Sequence, residues 1–283
     1  MLPVDTYIKN QLQGHLDTIE QKLNADLMAI ISQIVPGLEH IVRNAIELKT
    51  SRREALAIVL DTTGGVVEVV ERMVDTIRHH YREVIFIVPD RAMSAGTVFV
   101  MSGDRILMDY FGCLGPIDPQ IQKADGTLVP ALSYLNQFDR LRRLAAAGEL
   151  TTVDYALLEK LDLAELHQYE QAKTLSTDLL KSWLSTYKFK DWTRTETREL
   201  PVTEEMKRQR AEEIAELLSD NERWHSHGRG INLRALREQL RLRIEDFTED
   251  AELARAIREY FELLRDYLVR QRLPFFVHTR EYF

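Results

Sequence analysis

The chain has a single cysteine, Cys113, so no intramolecular disulfide can form and packing alone must hold the fold. No apolar run approaches the roughly 20 residues that a membrane-spanning helix needs, and no integral membrane segment is expected. The opening stretch, MLPVDTYIKNQLQGHLDTIEQK, has neither the unbroken apolar core of a secretory leader nor the acid-poor bias of a transit peptide. Cytoplasm is therefore the expected compartment. Positive charge is in deficit, with 37 Lys and Arg against 45 Asp and Glu and a net charge of -8. That balance disfavours a general phosphate-backbone surface, and no nucleic-acid partner is expected. The local basic runs RLRR and RALREQLRLR are interrupted by apolar residues and read as solvated faces of amphipathic elements. No G-x-G-x-x-G follows a strand-like run, which gives no reason to expect a dinucleotide. His225 and His227 have no Cys or acidic companions at ligand spacing, so neither a metal nor any other cofactor is expected.

What the sequence does contain is a change of period along its length. Leu12, Leu16, Ile19, Leu23, Leu27, Ile30 and Ile34 recur at steps of three and four, which predicts one helix over 12–34 ended by Pro36-Gly37. LEHIVRNAIEL predicts a second helix. ALAIVLDTTGG then reads as a buried parallel strand ending in a loop, VVEVVERMVDTIRHHY as a helix and EVIFIVPD as another buried strand. AMSAGTVFVMSG reads as a short helix, and RILMDYFGCLGPI as a third strand-like run. Strand, helix, strand, helix, strand is the order of a right-handed α/β unit with a parallel sheet. From about 130 to 190 the pattern is helical, 188–203 reads as a loop, and helices resume over 203–219 and 249–272. The simplest division is an N-terminal helical segment over 1–50, an α/β core over 51–248 with a helical insertion at about 130–220, and a C-terminal helix and tail over 249–283.

In an open α/β sheet the ligand crevice lies at the carboxyl ends of the strands, so DTTGG and AMSAGT should face one site. A serine at a strand-to-helix turn beside a diglycine loop offers a nucleophile and backbone N–H groups for an oxyanion, the two parts that acyl transfer needs. Each motif also has a structural reading, Gly64-Gly65 as an ordinary turn and the small residues around Ser94 as packing. DTTGG, VPDRAMSAGT, SGDRILMD and LGPIDPQI, in this order and spacing over about 55–123, resemble the Clp protease and crotonase superfamily, and within it the signal peptide peptidase A and serine dehydrogenase proteinase branch. The resemblance implies an α/β fold with a Clp/crotonase-like parallel sheet. It also implies a serine peptidase acting on a peptide or protein through an acyl-enzyme on Ser94, with an oxyanion hole from Gly65 and Ala95 shaped by Gly64.

The general base is where this sequence departs from the resemblance. Clp proteolytic subunits use a histidine some two dozen residues after the serine, and here that region reads GPIDPQ, with no histidine between His80 and His167. Signal peptide peptidases of this fold use a lysine, which burial or neighbouring cations must hold neutral. Lys160, flanked by apolar residues in ALLEKLDLAEL, is the first candidate, followed by Lys173, Lys123 and, from the late WHSHGRG segment, His225. A catalytically silent scaffold or binding protein of the same fold is the competing reading, and a crotonase-like acyl-coenzyme A enzyme a third. The resemblance further implies a homo-oligomer, with residues 1–50 and the aromatic tail LPFFVHTREYF expected at subunit contacts.

Overall fold

A strand without polar alternation must be covered on both faces, and the computed structural model uses the apolar runs in that way. It describes residues 3–117, 120–122, 128–195 and 199–283. The first half of the chain runs α1 (Pro3–Leu23), β1 (Asp26–Ile31), α2 (Leu38–Glu47), β2 (Ala55–Asp61), α3 (Val67–His80), β3 (Glu83–Val88), β4 (Arg91–Ala92), α4 (Ala95–Val100), β5 (Arg105–Met108) and β6 (Cys113–Leu114). Next come the hairpin strands β7 (Gln120–Gln122) and β8 (Leu128–Pro130) and the helices α5 (Ala131–Ala147), α6 (Thr152–Leu158) and α7 (Leu163–Trp183), the last prolonged by one π-helical turn over Leu184–Lys188. The chain closes with α8 (Glu204–Ser219), α9 (Asn221–Trp224), β9 (Ile231–Asn232), α10 (Leu233–Glu238), β10 (Glu245–Asp246), a 3-10 turn over Phe247–Glu249, α11 (Ala251–Gln271) and β11 (Phe276–Thr279).

The main sheet has the order β10-β5-β3-β2-β1-β11, parallel throughout except for the antiparallel edge strand β11. Because successive side chains point to opposite faces, each strand divides its residues between two cores. Met28, Ile30, Ile58, Leu60, Phe86 and Val88 join a core with α2, α3, α4 and α8. Leu27, Ala29, Ala57, Val59, Ile85 and Ile87 join a second core with α1 and α11. The result is a three-layer α/β sandwich whose strand carboxyl ends share one edge. A smaller sheet, β4-β6-β9, lies beside that edge.

The helix expected over 12–34 stops at Leu23, where Asn24 takes φ 49° and ends it, and the residues beyond form β1. Asparagine tolerates this left-handed conformation at a helix C-terminus. A six-residue apolar run matches a buried strand as well as a helix face, and pairing with β2 decides between them. Leu12, Leu16 and Ile19 are fully buried on α11 within the same chain. The aromatic tail, expected at a subunit contact, closes on its own sheet: β11 pairs with β1, and Phe276, His278, Phe283 and Tyr267 pack ring against ring. The helical run after 150 is interrupted at Asp162, whose carboxylate caps the amides of Ala164 and Glu165 at 2.8 and 3.4 Å. Among the described residues no helix is long and apolar enough to cross a membrane.

One buried pair in this frame makes stability depend on pH. His278 lies 2.6 Å from the Tyr260 hydroxyl through Nδ1, and burial pushes its pKa down to about 4, Lys9 acting in the same direction. Unfolded, the imidazole takes up a proton near 6.5, so its contribution is complete above that value and is lost as pH falls toward 4. The expected slope is about 1.4 kcal/mol per pH unit within that window. Melting curves of the wild type and His278→Gln should converge as pH is lowered from about 6.5 to about 4. A constant difference across that window would show that His278 is not the group responsible.

Candidate active site

The parallel order of β2 and β3 brings the two small-residue loops together at the carboxyl edge. After Asp61 the chain stays in register with the segment preceding Ser94: Thr62 bridges Ala92, its amide donates to the Arg91 carbonyl at 3.0 Å, and its carbonyl accepts from the Met93 amide at 3.1 Å. The Thr62 hydroxyl then accepts from the Gly64 amide at 3.1 Å and turns the loop. Gly64 has φ 96°, and a Cβ there would stand 2.7 Å from the Met93 carbonyl and 2.9 Å from the Ser94 Cβ. Gly65 has φ 148°, and a Cβ there would overlap the Ile34 carbonyl oxygen. Both positions therefore admit only glycine, for conformation and for space. The small residues after the serine do packing work as well, since a Cβ on Gly96 would collide with the Thr62 methyl.

Ser94 sits between β4 and α4 with φ 51° and ψ -117°, a conformation that costs a non-glycine residue on the order of 1–3 kcal/mol. Its neighbours hold it there. The Ser94 carbonyl accepts from the amides of Thr97 and Val98 at 2.8 and 3.2 Å, and the Met93 carbonyl accepts from Gly96 at 2.8 Å. The side chain is half-buried and does not cap the helix it precedes. Among the described residues the Ser94 hydroxyl has no hydrogen-bond partner, and the amides of Gly65 and Ala95 have no acceptor. The bridge to Ile34 uses the Gly64 carbonyl and the Val66 amide, which leaves the Gly65 N–H outside it. A serine held in a strained turn, with an unused hydroxyl and unused amides beside it, is the arrangement of a nucleophile elbow.

Two ties that sequence reading overlooked keep this edge rigid. Fully buried Thr97 places its hydroxyl 2.8 Å from both the Ala92 and the Gly115 carbonyls and accepts from the Gly115 amide at 2.9 Å, which clamps α4 between β4 and the turn after β6. Buried Asp109 accepts from the amides of Phe111 and Gly112 at 2.9 and 3.1 Å through Oδ1, while Arg258 of α11 donates to its Oδ2 at 2.7 Å. An acid one residue beyond a strand end, as an Asx turn followed by glycine, was the sequence signal for the second tie.

The charges at this edge are unevenly paired. Burial raises the Asp61 carboxyl to about 6, Asp90 adds to the shift, and Arg91 and Arg265 oppose it. Its Oδ1 is buried without a hydrogen-bond partner, the Arg91 Nε lying 3.6 Å away. Burial, with Asp90, also pushes the Cys113 thiol up, so it stays protonated at neutral pH.

The candidate bases fall elsewhere. Lys160 lies in the turn after α6 and is exposed; the leucines meant to desolvate it, Leu157 and Leu163, are themselves 45% and 71% exposed. The desolvation expected from its sequence neighbours is thus absent in the folded chain, because Leu161 and Leu166 pack toward the α5–α7 cluster while Lys160 points into solvent. Lys173 is on the exposed face of α7. His225 is exposed beyond α9 at φ 61°. None of these three is hydrogen-bonded to Ser94. Lys123 lies outside the described residues.

A family model described as "ClpP-like SDH-type serine proteinase" matches residues 34–214. Two uncharacterized proteins of Methanocaldococcus jannaschii, MJ0137 and MJ1495, are 38% identical over 64 residues and 30% identical over 97 residues. These matches cover 23% and 34% of this chain but only 22% and 32% of the relatives' own lengths. Among solved structures, a mutant of the 1510-N membrane-bound stomatin-specific protease in complex with a substrate peptide shares 19% identity over 55% of this chain and 57% of that one, with a TM-score of 0.37. A second mutant of the same protease shares 21% identity over 44% of this chain and 65% of that one, with a TM-score of 0.33.

Proposed function

Since this chain belongs to the ClpP-like SDH-type serine proteinase family, we propose that it is a serine peptidase in which Ser94 attacks the scissile carbonyl and the Gly65 and Ala95 amides hold the resulting oxyanion. The observation that carries the proposal is the unpartnered Ser94 hydroxyl, held at φ 51° against Gly64. Ser94 Oγ forms the bond to the carbonyl carbon and gives up its proton to a base. The tetrahedral oxyanion is met by N–H groups that have no acceptor among the described residues, so they need not break bonds to serve it. The base returns the proton to the leaving amine as the C–N bond breaks, and water then hydrolyses the acyl-enzyme by the same route.

A lysine is the proposed base. Lys160 and Lys173 are exposed, without the burial that would desolvate an amine beside Ser94. The proposal therefore moves to Lys123, the next candidate in the sequence, which follows β7 in the chain. A fluorophosphonate probe tests the site. The wild type should gain one phosphonyl group on Ser94, Ser94→Ala should gain none, and Lys123→Ala should react about 100- to 10,000-fold more slowly. Absence of labelling at every pH would favour the silent scaffold, a reading supported by the lack of any described base within hydrogen-bond reach of Ser94.

A second copy of the chain belongs to the same proposal. Asp109 holds its loop so that Tyr110 and Phe111 stand 78% and 64% exposed near the carboxyl edge. Two adjacent solvent-facing rings on a braced loop suit a partner surface. Light scattering should give a mass that is a multiple of 32.9 kDa and that falls to one chain in Tyr110→Ser/Phe111→Ser. A monomeric wild type would remove the second copy from the proposal.

A further inference from the structure

At the opposite edge of the sheet, where β5 and β10 begin, the loop after α7 and the segment leading into β10 enclose a cavity of about 690 Å³, well within the size range of small-ligand pockets. Six Lys and Arg side chains line it against four Asp and Glu, a net positive wall in a chain with net charge -8. Part of this charge is cancelled internally: Arg105 makes a two-pronged pair with Glu245 at 2.9 and 2.6 Å, and Arg210 pairs with Glu213 at 2.6 Å. Arg241 and Arg243 make no salt bridge among the described residues, Arg243 acting on the Glu245 carboxylate only at longer range. The Lys188 ammonium has one acceptor, the Asp104 carbonyl at 3.3 Å, which leaves donor capacity for something else. The Asp104 carboxylate is occupied by Arg78 at 2.7 Å and Lys190 at 2.5 Å. On the same wall Trp192 stands edge-on to Phe189 at 5.7 Å, which holds its indole in place.

The geometry points to this cavity as a binding site for a small organic phosphate carrying a flat ring, with the phosphate on Arg241, Arg243 and Lys188 and the ring on Trp192. Guanidinium groups outside salt bridges match phosphate oxygens in pairs, and an indole offers a face to a planar ring. The inference does not rest on Ser94, since the cavity opens at the amino ends of β5 and β10 and the candidate active site lies at the carboxyl ends of β2 and β3. Lys188 adds a signature of its own. Burial pushes its pKa down to about 8; Arg243 and Arg105 act in the same direction, and Glu245 and Asp104 oppose them. A phosphate beside it would favour the ammonium, so binding draws a proton in and weakens as pH rises through about 8.

Isothermal titration of the full-length protein with ADP, adenosine and inorganic phosphate tests the site. ADP should bind at one site, more tightly than either fragment. Arg241→Ala/Arg243→Ala should weaken ADP by roughly tenfold or more without changing the melting temperature. Trp192→Leu should bring ADP toward the affinity of phosphate alone. Lys188→Met should remove the loss of affinity that the wild type shows as pH rises through about 8. No heat of binding at millimolar ADP would overturn the proposal. So would affinity unchanged in the double arginine variant, phosphate binding as tightly as ADP, or the same pH dependence in Lys188→Met. Fluorophosphonate labelling of Ser94 reads the other site independently, so failure of one proposal is distinguishable from failure of the other.

Discussion

Ser94→Ala is expected to reduce peptide hydrolysis by a factor on the order of 10⁶, as removal of a serine nucleophile does in other hydrolases, with the melting temperature nearly unchanged. The two halves of this result follow from separate observations. The hydroxyl makes no hydrogen bond among the described residues, so its loss leaves no buried donor or acceptor unsatisfied. The strained backbone is retained, because alanine has the same Cβ and the contacts that impose φ 51° are main-chain bonds from Gly96, Thr97 and Val98. A serine whose role was packing or capping would behave the other way round, with stability falling and activity following it. Hydrolysis of a generic casein or peptide substrate, read beside a thermal melt, separates the cases. Residual turnover within tenfold of the wild type would remove Ser94 from the chemistry.

Gly65→Ala is expected to damage fold and activity together. Its φ of 148° lies in a region essentially closed to residues with a side chain, and the new Cβ would overlap the Ile34 carbonyl oxygen. Either the loop after β1 or the diglycine loop must move. Strain and overpacking together cost on the order of 3 kcal/mol or more, which for a domain of this size lowers the melting temperature by roughly 10 °C. The displaced loop carries one of the two amides assigned to the oxyanion, and loss of one such donor costs about 100- to 1,000-fold in turnover. Assays well below the lowered melting point separate the two effects, because misfolding recedes on cooling and the oxyanion deficit persists. A variant with wild-type melting and wild-type labelling by fluorophosphonate would contradict both the backbone geometry and the role given to Gly65.

How far the sequence reaches is clearest in particular elements. ALAIVL and VIFIV are short, uninterrupted, β-branched runs ending in loop residues, and such runs are buried parallel strands wherever they fall. Their order alone places DTTGG and AMSAGT on one edge, since parallel strands bring successive carboxyl ends together. The first helix was legible only as far as Leu23. LMAII satisfies both a helical stripe and a buried strand, and the choice rests on β2 and β11 offering backbone partners on either side. The one local clue was Asn24, a residue that accepts the left-handed conformation.

What the sequence by itself determined is therefore the class of fold, the family and the pairing of serine with diglycine, because these depend on local polarity, spacing and steric tolerance. Whether an ionisable group is desolvated depends on every element packed around it, and only the tertiary structure decided that. Apolar neighbours along the chain promised a buried Lys160 and delivered an exposed one. Lys188, in a stretch that reads as a charged loop boundary, is a lysine whose pKa burial lowers, because the starts of β5 and β10 close over it from distant parts of the chain.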